Sequence, residues 1–240
     1  MVAASAGNHA QGVAFASALE KIICTIVMPK NASPAKVAAT KGYGATVILE
    51  GRNYDESWVK AQEIANVSNA QIIHAFDDPK IIAGQGVIGL EIIEQLPDVD
   101  EIYVPIGGGG LAAGILTAIK DKNPNVKVIG VESKSFPSMK NSLDSGKLET
   151  IDGGFTVADG ISVRTPGKQT FEIIKDKIDK IVLIDDDEII NTMFLLMERS
   201  KSVVEPVSWV NVSGKVRDVF LITLSCVFCA FTISSYVMLM

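Results

Sequence analysis

Four consecutive glycines, Gly107 to Gly110, follow the apolar run Glu101 to Ile106 and precede a helix-favouring stretch, Leu111 to Lys120. Glycine has no Cβ, so backbone N–H groups at such a junction can close on an anion, and a helix N-terminus adds partial positive charge on the same side. Phosphate binding is the chemistry this pattern offers. A tight strand-to-helix turn without a ligand is the competing reading. A second string, Ser5-Ala6-Gly7-Asn8-His9-Ala10-Gln11-Gly12, gathers a hydroxyl, an amide and an imidazole within five residues. The amide N–H₂ of asparagine does not titrate, so it donates to an anionic oxygen at any physiological pH. The plainer alternative is a helix start capped by Ser5 or Asn8, with His9 in solvent.

Other patterns carry less. Cys226 and Cys229, with two residues between them, form a pair, but a structural zinc takes about four ligands and both histidines, His9 and His74, are distant in sequence. Glu132 ends an apolar run but is followed by Lys134 and Phe136, which supply no further carboxylate, so no metal is assigned. Gly84, Gly86 and Gly89 spell a dinucleotide-type fingerprint. They follow a helix start at Asp78-Pro79, whereas the fingerprint requires a preceding strand, so close helix packing is the better account. The triplets at Asn31, Asn66 and Asn211 match a glycosylation pattern that matters only in secreted chains. A net charge of −6 argues against nucleic acid, which needs clustered Lys and Arg. Three cysteines make no disulfide framework and no leader precedes the first string, so a cytoplasmic compartment is expected.

These residues need a scaffold. Short apolar runs at Ile22 to Met28, Thr46 to Leu49, Gln71 to His74, Glu101 to Ile106, Lys127 to Glu132 and Lys180 to Ile184 predict buried strands. Helical stretches lie between them, with Ser33-Pro34 and Asp78-Pro79 as start signals and Gly42 or Gly44 as a stop. Alternation of this kind predicts an α/β fold with parallel sheets and ligand sites at the carboxyl ends of the strands.

The two strings together resemble the fold-type II pyridoxal-phosphate (PLP) enzymes, and among these the threonine/serine dehydratases. The resemblance covers about Val2 to Pro206 and implies two parallel-sheet α/β domains, incomplete at both the N- and C-termini. Residues 1–76 would form a small mobile domain and residues 77–218 a large PLP-binding one. It implies that Gly107, Gly108, Gly109, Gly110 and Leu111 hold the cofactor phosphate, that Asn8 donates to the ring 3′-oxygen, and that Glu205 lies beside the ring. Ser5, Ala6, Gly7 and His9 would receive the substrate carboxylate, with Asp159 near the substrate and the segment Asp77 to Glu91 bordering the site. The family's cofactor-bearing lysine belongs to a Ser-Phe-Lys-type motif ahead of the first string, almost where this chain begins. No catalytic residue is therefore assigned.

The implied reaction is deamination of a small hydroxy amino acid, L-threonine or L-serine, to 2-oxobutanoate or pyruvate plus ammonia. Without the lysine the chain is expected to be inactive alone, and a non-catalytic partner subunit is the alternative. A homodimer is the implied assembly. Serine racemases are similar to the first string but carry a second serine where Ala6 stands, and its hydroxyl donates a proton on the face opposite the lysine. Alanine has no such proton, so Ala6 implies exchange on one face and elimination over racemisation.

Past Pro206 the likeness breaks, and the family's second glycine-rich loop does not follow. Residues 219–240 carry no charge. They are read as a native end replaced through a frame shift, as a membrane anchor with Lys215 and Arg217 ahead of it, or as a core strand over Val219 to Leu224. A membrane partner follows only if the tail is an anchor.

Overall fold

The computed structural model describes residues 1–201, 203 and 205–208, and the chain divides into two compact units, Met1–Asp78 and a second that starts at Pro79. The first alternates strand and helix: β1 (Val2–Ala4), α1 (Asn8–Leu19), β2 (Thr25–Met28), α2 (Pro34–Gly42), β3 (Thr46–Leu49), α3 (Tyr54–Ser68) and β4 (Ile72–Ile73). Its strands are parallel in the order β3-β2-β1-β4. Successive side chains of a strand point to opposite faces, and the core divides accordingly. Ala3, Ile26 and Met28 pack with Ala10, Val13 and Ala14 of α1, whereas Val2, Ala4 and Val27 pack with Ala61 and Ala65 of α3.

β1 is only three residues long, yet it is the centre of this sheet. Val2 pairs with Thr25 on one side and with Ile72 on the other. The chain winds outward from β1 to β3 and then adds β4 on the opposite side, so strand order reverses between β1 and β4. In open parallel sheets the crevice beyond the carboxyl ends at such a reversal is where ligands bind. The segment Ser5 to His9 leaves β1 at that point.

The second unit runs α4 (Pro79–Gln95), β5 (Glu101–Pro105), α5 (Gly110–Lys122), β6 (Lys127–Ser133), α6 (Ser138–Ser145), a 3₁₀ turn at Asp159–Ile161, α7 (Lys168–Lys177), β7 (Lys180–Ile184) and α8 (Asp186–Ser200). Its strands are parallel in the order β5-β6-β7. Helices α4 and α5 pack closely through glycine: a Cβ on Gly86 would lie 3.2 Å from the Gly114 carbonyl, and one on Gly89 would lie 3.0 Å from Ala118 Cβ. Gly84 has nothing within 4 Å of that position, so two of the three fingerprint glycines serve helix packing inside α4. Helix α8 opens with a reciprocal cap, Glu188 N donating to Asp185 Oδ1 at 2.9 Å and Asp185 N donating to Glu188 Oε2 at 3.0 Å.

Two expectations are corrected. β1 carried no strand signal, because Val-Ala-Ala is too short for periodicity and alanine is a poor strand marker. The run Ile22 to Cys24 is not strand: Lys21 adopts a left-handed φ of 54° to end α1, and Ile22 N donates to Ser17 O at 2.8 Å. Ile23 is 85% exposed, so its apolar character marks no buried strand. Among the described residues no helix is long and apolar enough to cross a membrane. The tail 219–240, with Cys226 and Cys229, lies outside them, as does Val204.

Candidate functional site

In the first unit, Ser5 N donates to Val27 O at 3.1 Å, continuing the β1–β2 ladder into the turn. Gly7 N donates to Ser5 Oγ at 3.2 Å. Helix α1 then starts at Asn8 with Gly7 as its N-cap and no side-chain cap. Neither Ser5 nor Asn8 is spent on capping, so the ordinary capped-helix alternative is not what forms. Asn8 is exposed, and Ser5, Ala6, Gly7 and His9 are half-buried. A first helical turn has N–H groups without intrahelical acceptors, and here they face the crevice end of the sheet.

His9 is an anchor rather than a solvated side chain. Its Nε2 lies 3.3 Å from the carbonyl of Ile73, the last residue of β4, so that nitrogen carries the proton and donates across the strand reversal. Burial holds its pKa down at about 4, with His74 adding to the effect while the Ile73 bond and Asp78 oppose it. His9 is therefore neutral at physiological pH. On the far side, His74 Nδ1 accepts from Asp77 N at 2.8 Å and Phe76 N at 3.2 Å. Its ring packs edge-on against Trp58 and Phe76, and burial lowers its pKa too. Two uncharged imidazoles thus fasten the start of α1 to β4 and the turn that follows β4.

In the second unit, β5 feeds the glycine run and α5 begins at its fourth residue. Gly109, the N-cap, has φ +97°, a conformation open to glycine at little cost. A Cβ there would sit 2.8 Å from Thr170 Oγ1 and 2.9 Å from Met139 Cε, and one on Gly107 would sit 3.0 Å from Ile161 Cα. The underside of the loop is thus fully packed. Thr170 Oγ1 donates to the Gly108 carbonyl at 2.6 Å, and Gly167 N donates to the same oxygen at 3.1 Å. With that carbonyl tied below, the loop is held rigidly at the positive end of α5, where Leu111 occupies the first turn.

The Asp159 turn adjoins that loop, and the Glu205 segment adjoins the Asp159 turn. Asp159 opens the 3₁₀ turn whose Ile161 backs Gly107. The stretch before it is fastened by Asp186, which accepts from Thr156 Oγ1 at 2.7 Å and from Val157 N at 3.0 Å. Glu205 leads into a helical turn at 206–208, and a Cβ on Gly160 would lie 2.8 Å from Val207 Cγ2. Glycine loop, Asp159 turn and Glu205 segment therefore form one continuous packing. Thr170, Gly167 and Asp186 had no sequence signal, because their contacts span as many as 62 residues. Among the described residues no three His, Cys, Asp or Glu side chains group as metal ligands. Both carboxylate oxygens of Glu132 are taken by the backbone N–H groups of Met139 and Lys140.

Parallel α/β units, one with a polar turn at a strand reversal and one with a glycine loop at a helix start, are a scaffold suited to a phosphate-bearing cofactor. The chain belongs to the family of pyridoxal-phosphate dependent enzymes, whose family profile matches residues 1–218. It is 49% identical over 205 residues to an L-threonine ammonia-lyase of Geobacter sulfurreducens, covering 85% of this chain and 51% of that protein. Among solved structures it is similar to the processed form of threonine deaminase isoform 2 from Solanum lycopersicum, with TM-score 0.84 and 38% identity over 89% of this chain and 62% of the other. It is also similar to maize serine racemase, with TM-score 0.85 and 32% identity over 95% and 67%. The chain spans about half the length of the curated ammonia-lyases it matches, 51% and 53%. The residues present fit the family's cofactor. Gly107 and Gly109 are backed by Ile161, Thr170 and Met139, and Asn8 presents an exposed amide that caps no helix.

Proposed function

We propose that the protein containing these residues is a PLP-dependent ammonia-lyase that deaminates L-threonine or L-serine. The observation that carries this reading is the Ser5 to His9 turn at the β1/β4 reversal, in which the position after Ser5 is alanine. The ammonia-lyase names of relatives near 50% identity support it.

Each residue has a task on this reading. Gly107 to Leu111 would hold the cofactor phosphate by backbone N–H groups, and Asn8 would donate to the 3′-oxygen and so orient the ring. When bound, the cofactor supplies an electron-withdrawing ring that accepts negative charge from the substrate Cα. Ser5 and the first-turn N–H groups of α1 would receive the substrate carboxylate. His9, neutral and committed to Ile73, holds that turn in place and moves no proton. Ala6 brings no exchangeable proton to its side, which leaves proton transfer at Cα to the opposite face; elimination needs one face only, whereas racemisation needs a proton donor on the other.

The 240 residues alone, without the lysine expected ahead of Met1, are proposed to be inactive, and the intact protein to be a cytoplasmic homodimer. The test is the intact mass of the endogenous protein after borohydride reduction, which fixes the cofactor covalently, alongside turnover of L-threonine and L-serine. A PLP adduct on a species heavier than 25.6 kDa, releasing 2-oxo acid, is expected. D-serine formed faster than pyruvate from L-serine would overturn the lyase reading.

A further inference from the structure

Glu132 sits in β6 with its side chain fully buried, and the proposed chemistry does not use it. Its two carboxylate oxygens go to one short stretch of backbone: Oε1 accepts from Met139 N at 2.8 Å and Oε2 from Lys140 N at 2.9 Å. These are first-turn N–H groups of α6, which have no acceptor in their own helix. The N-cap, Pro137, has no side-chain cap to offer. A carboxyl group from the neighbouring strand does the capping instead; burial raises its pKa to about 7, and the two N–H donors oppose that rise by favouring the ionised form. The ammonium of Lys140 is directed to Asp144 at 2.7 Å, so Glu132 is bound to α6 through backbone alone.

The same turn of α6 supports the glycine loop at two points. Met139 Cε lies 2.9 Å from where a Cβ on Gly109 would be. Ser138 Oγ, fully buried, donates to the Val163 carbonyl at 2.9 Å, and Val163 Cγ2 lies 3.2 Å from a Cβ position on Gly107. Three consecutive residues thus connect Glu132 to both ends of the cradle. We propose that Glu132 is a positioning residue for the anion site: by fixing the first turn of α6 it sets the floor on which Gly107 and Gly109 rest, and so the spacing of the phosphate-binding N–H groups. This rests on the reading that the cradle takes the cofactor phosphate.

The test compares 4′-deoxypyridoxine 5′-phosphate with 4′-deoxypyridoxine, which share a ring, lack the lysine-reactive aldehyde and differ in the phosphate. Equilibrium dialysis of both against the full chain gives a phosphate preference, the ratio of the two Kd values. Glu132→Gln keeps the volume but turns an N–H₂ toward one of the two backbone donors, so one contact is lost. It is expected to cut the preference about tenfold while ring affinity stays within about twofold, the scale of one charge-assisted hydrogen bond. Thr40→Val removes a comparable hydrogen bond from a buried hydroxyl, Thr40 Oγ1 to Lys36 O at 2.9 Å in α2, and is expected to keep the wild-type preference. An unchanged preference in Glu132→Gln, or equal losses in both variants, overturns the proposal. A wild-type chain with no preference would show that the cradle reading itself fails, and this inference with it. Should Glu132→Gln not fold, Glu132→Asp, shorter by one methylene, decides by the same ratio, with an unchanged value again overturning the idea.

Discussion

Acidification should release the Ser5 to His9 turn, and the size of the effect follows from one imidazole. His9 has a folded pKa of about 4 against an ordinary 6.5, so between these values the unfolded chain takes up a proton that the folded chain refuses. Stability contributed by the neutral ring is complete above pH 6.5 and declines as pH falls toward 4. At 1.36 kcal/mol per pKa unit the loss is about 3 kcal/mol by pH 4, a large part of the roughly 5–15 kcal/mol that holds a domain together. His9→Gln is the informative control, because its amide can still donate to Ile73 O but does not titrate. Urea unfolding followed by Trp58 fluorescence, in a Trp209→Phe background, reports on the first unit. From pH 7 to pH 4 the wild type should lose about 3 kcal/mol more than His9→Gln. Curves that fall in parallel would refute the view that a buried, neutral His9 anchors the turn.

Three other outcomes are expected. Gly109→Ala places a Cβ at φ +97° and 2.8 Å from Thr170 Oγ1; a loss above about 2 kcal/mol in thermal unfolding should accompany loss of 4′-deoxypyridoxine 5′-phosphate binding. Thr170→Val removes the hydroxyl from the Gly108 carbonyl and should cost about 1–2 kcal/mol in a denaturant titration; no cost would mean that Gly167 N suffices. In α4, Gly84→Ala enters open space and should stabilise by up to about 1 kcal/mol, whereas Gly89→Ala meets Ala118 and the Ile115 carbonyl and should destabilise by about 1–3 kcal/mol. Opposite signs for the two, measured by urea midpoints, are the critical result.

Much of the scaffold was legible because the strands are buried and apolar while their connections carry Pro and Gly. The runs at Thr46 to Leu49 and Lys180 to Ile184 match β3 and β7 in extent, since both have β-branched residues in sequence. The glycine run was legible as a junction for a related reason: it falls between an apolar strand and a helix-favouring stretch, where β5 passes into α5. What stayed hidden depends on distance along the chain. Val2–Ala4 is a strand only because β2 and β4 flank it, and no local signal reports such company. The anchoring role of His9 carried no sequence signal, because its partner, Ile73, is 64 residues away. Glu132 had no role assigned from its neighbours in sequence, and it caps α6 only because that helix folds back onto β6.

The position of β1 also bears on how the first unit assembles. Its register partners lie 23 residues away at Val2–Thr25 and 70 residues away at Val2–Ile72, whereas β2 and β3, longer strands of four residues each, pair over their whole length through one short crossover, with Thr25 opposite Thr46. Loop closure becomes costlier with length, and a three-residue strand repays little until both neighbours are in place. The β2–α2–β3 segment therefore has the fastest route to pairing, and β1 enters late, when β4 arrives to complete the sheet. Since the Ser5 to His9 turn exists only after β1 is seated, the chemistry-bearing turn belongs to the last step of folding, and its amides should be among the first in this unit to exchange with solvent deuterium.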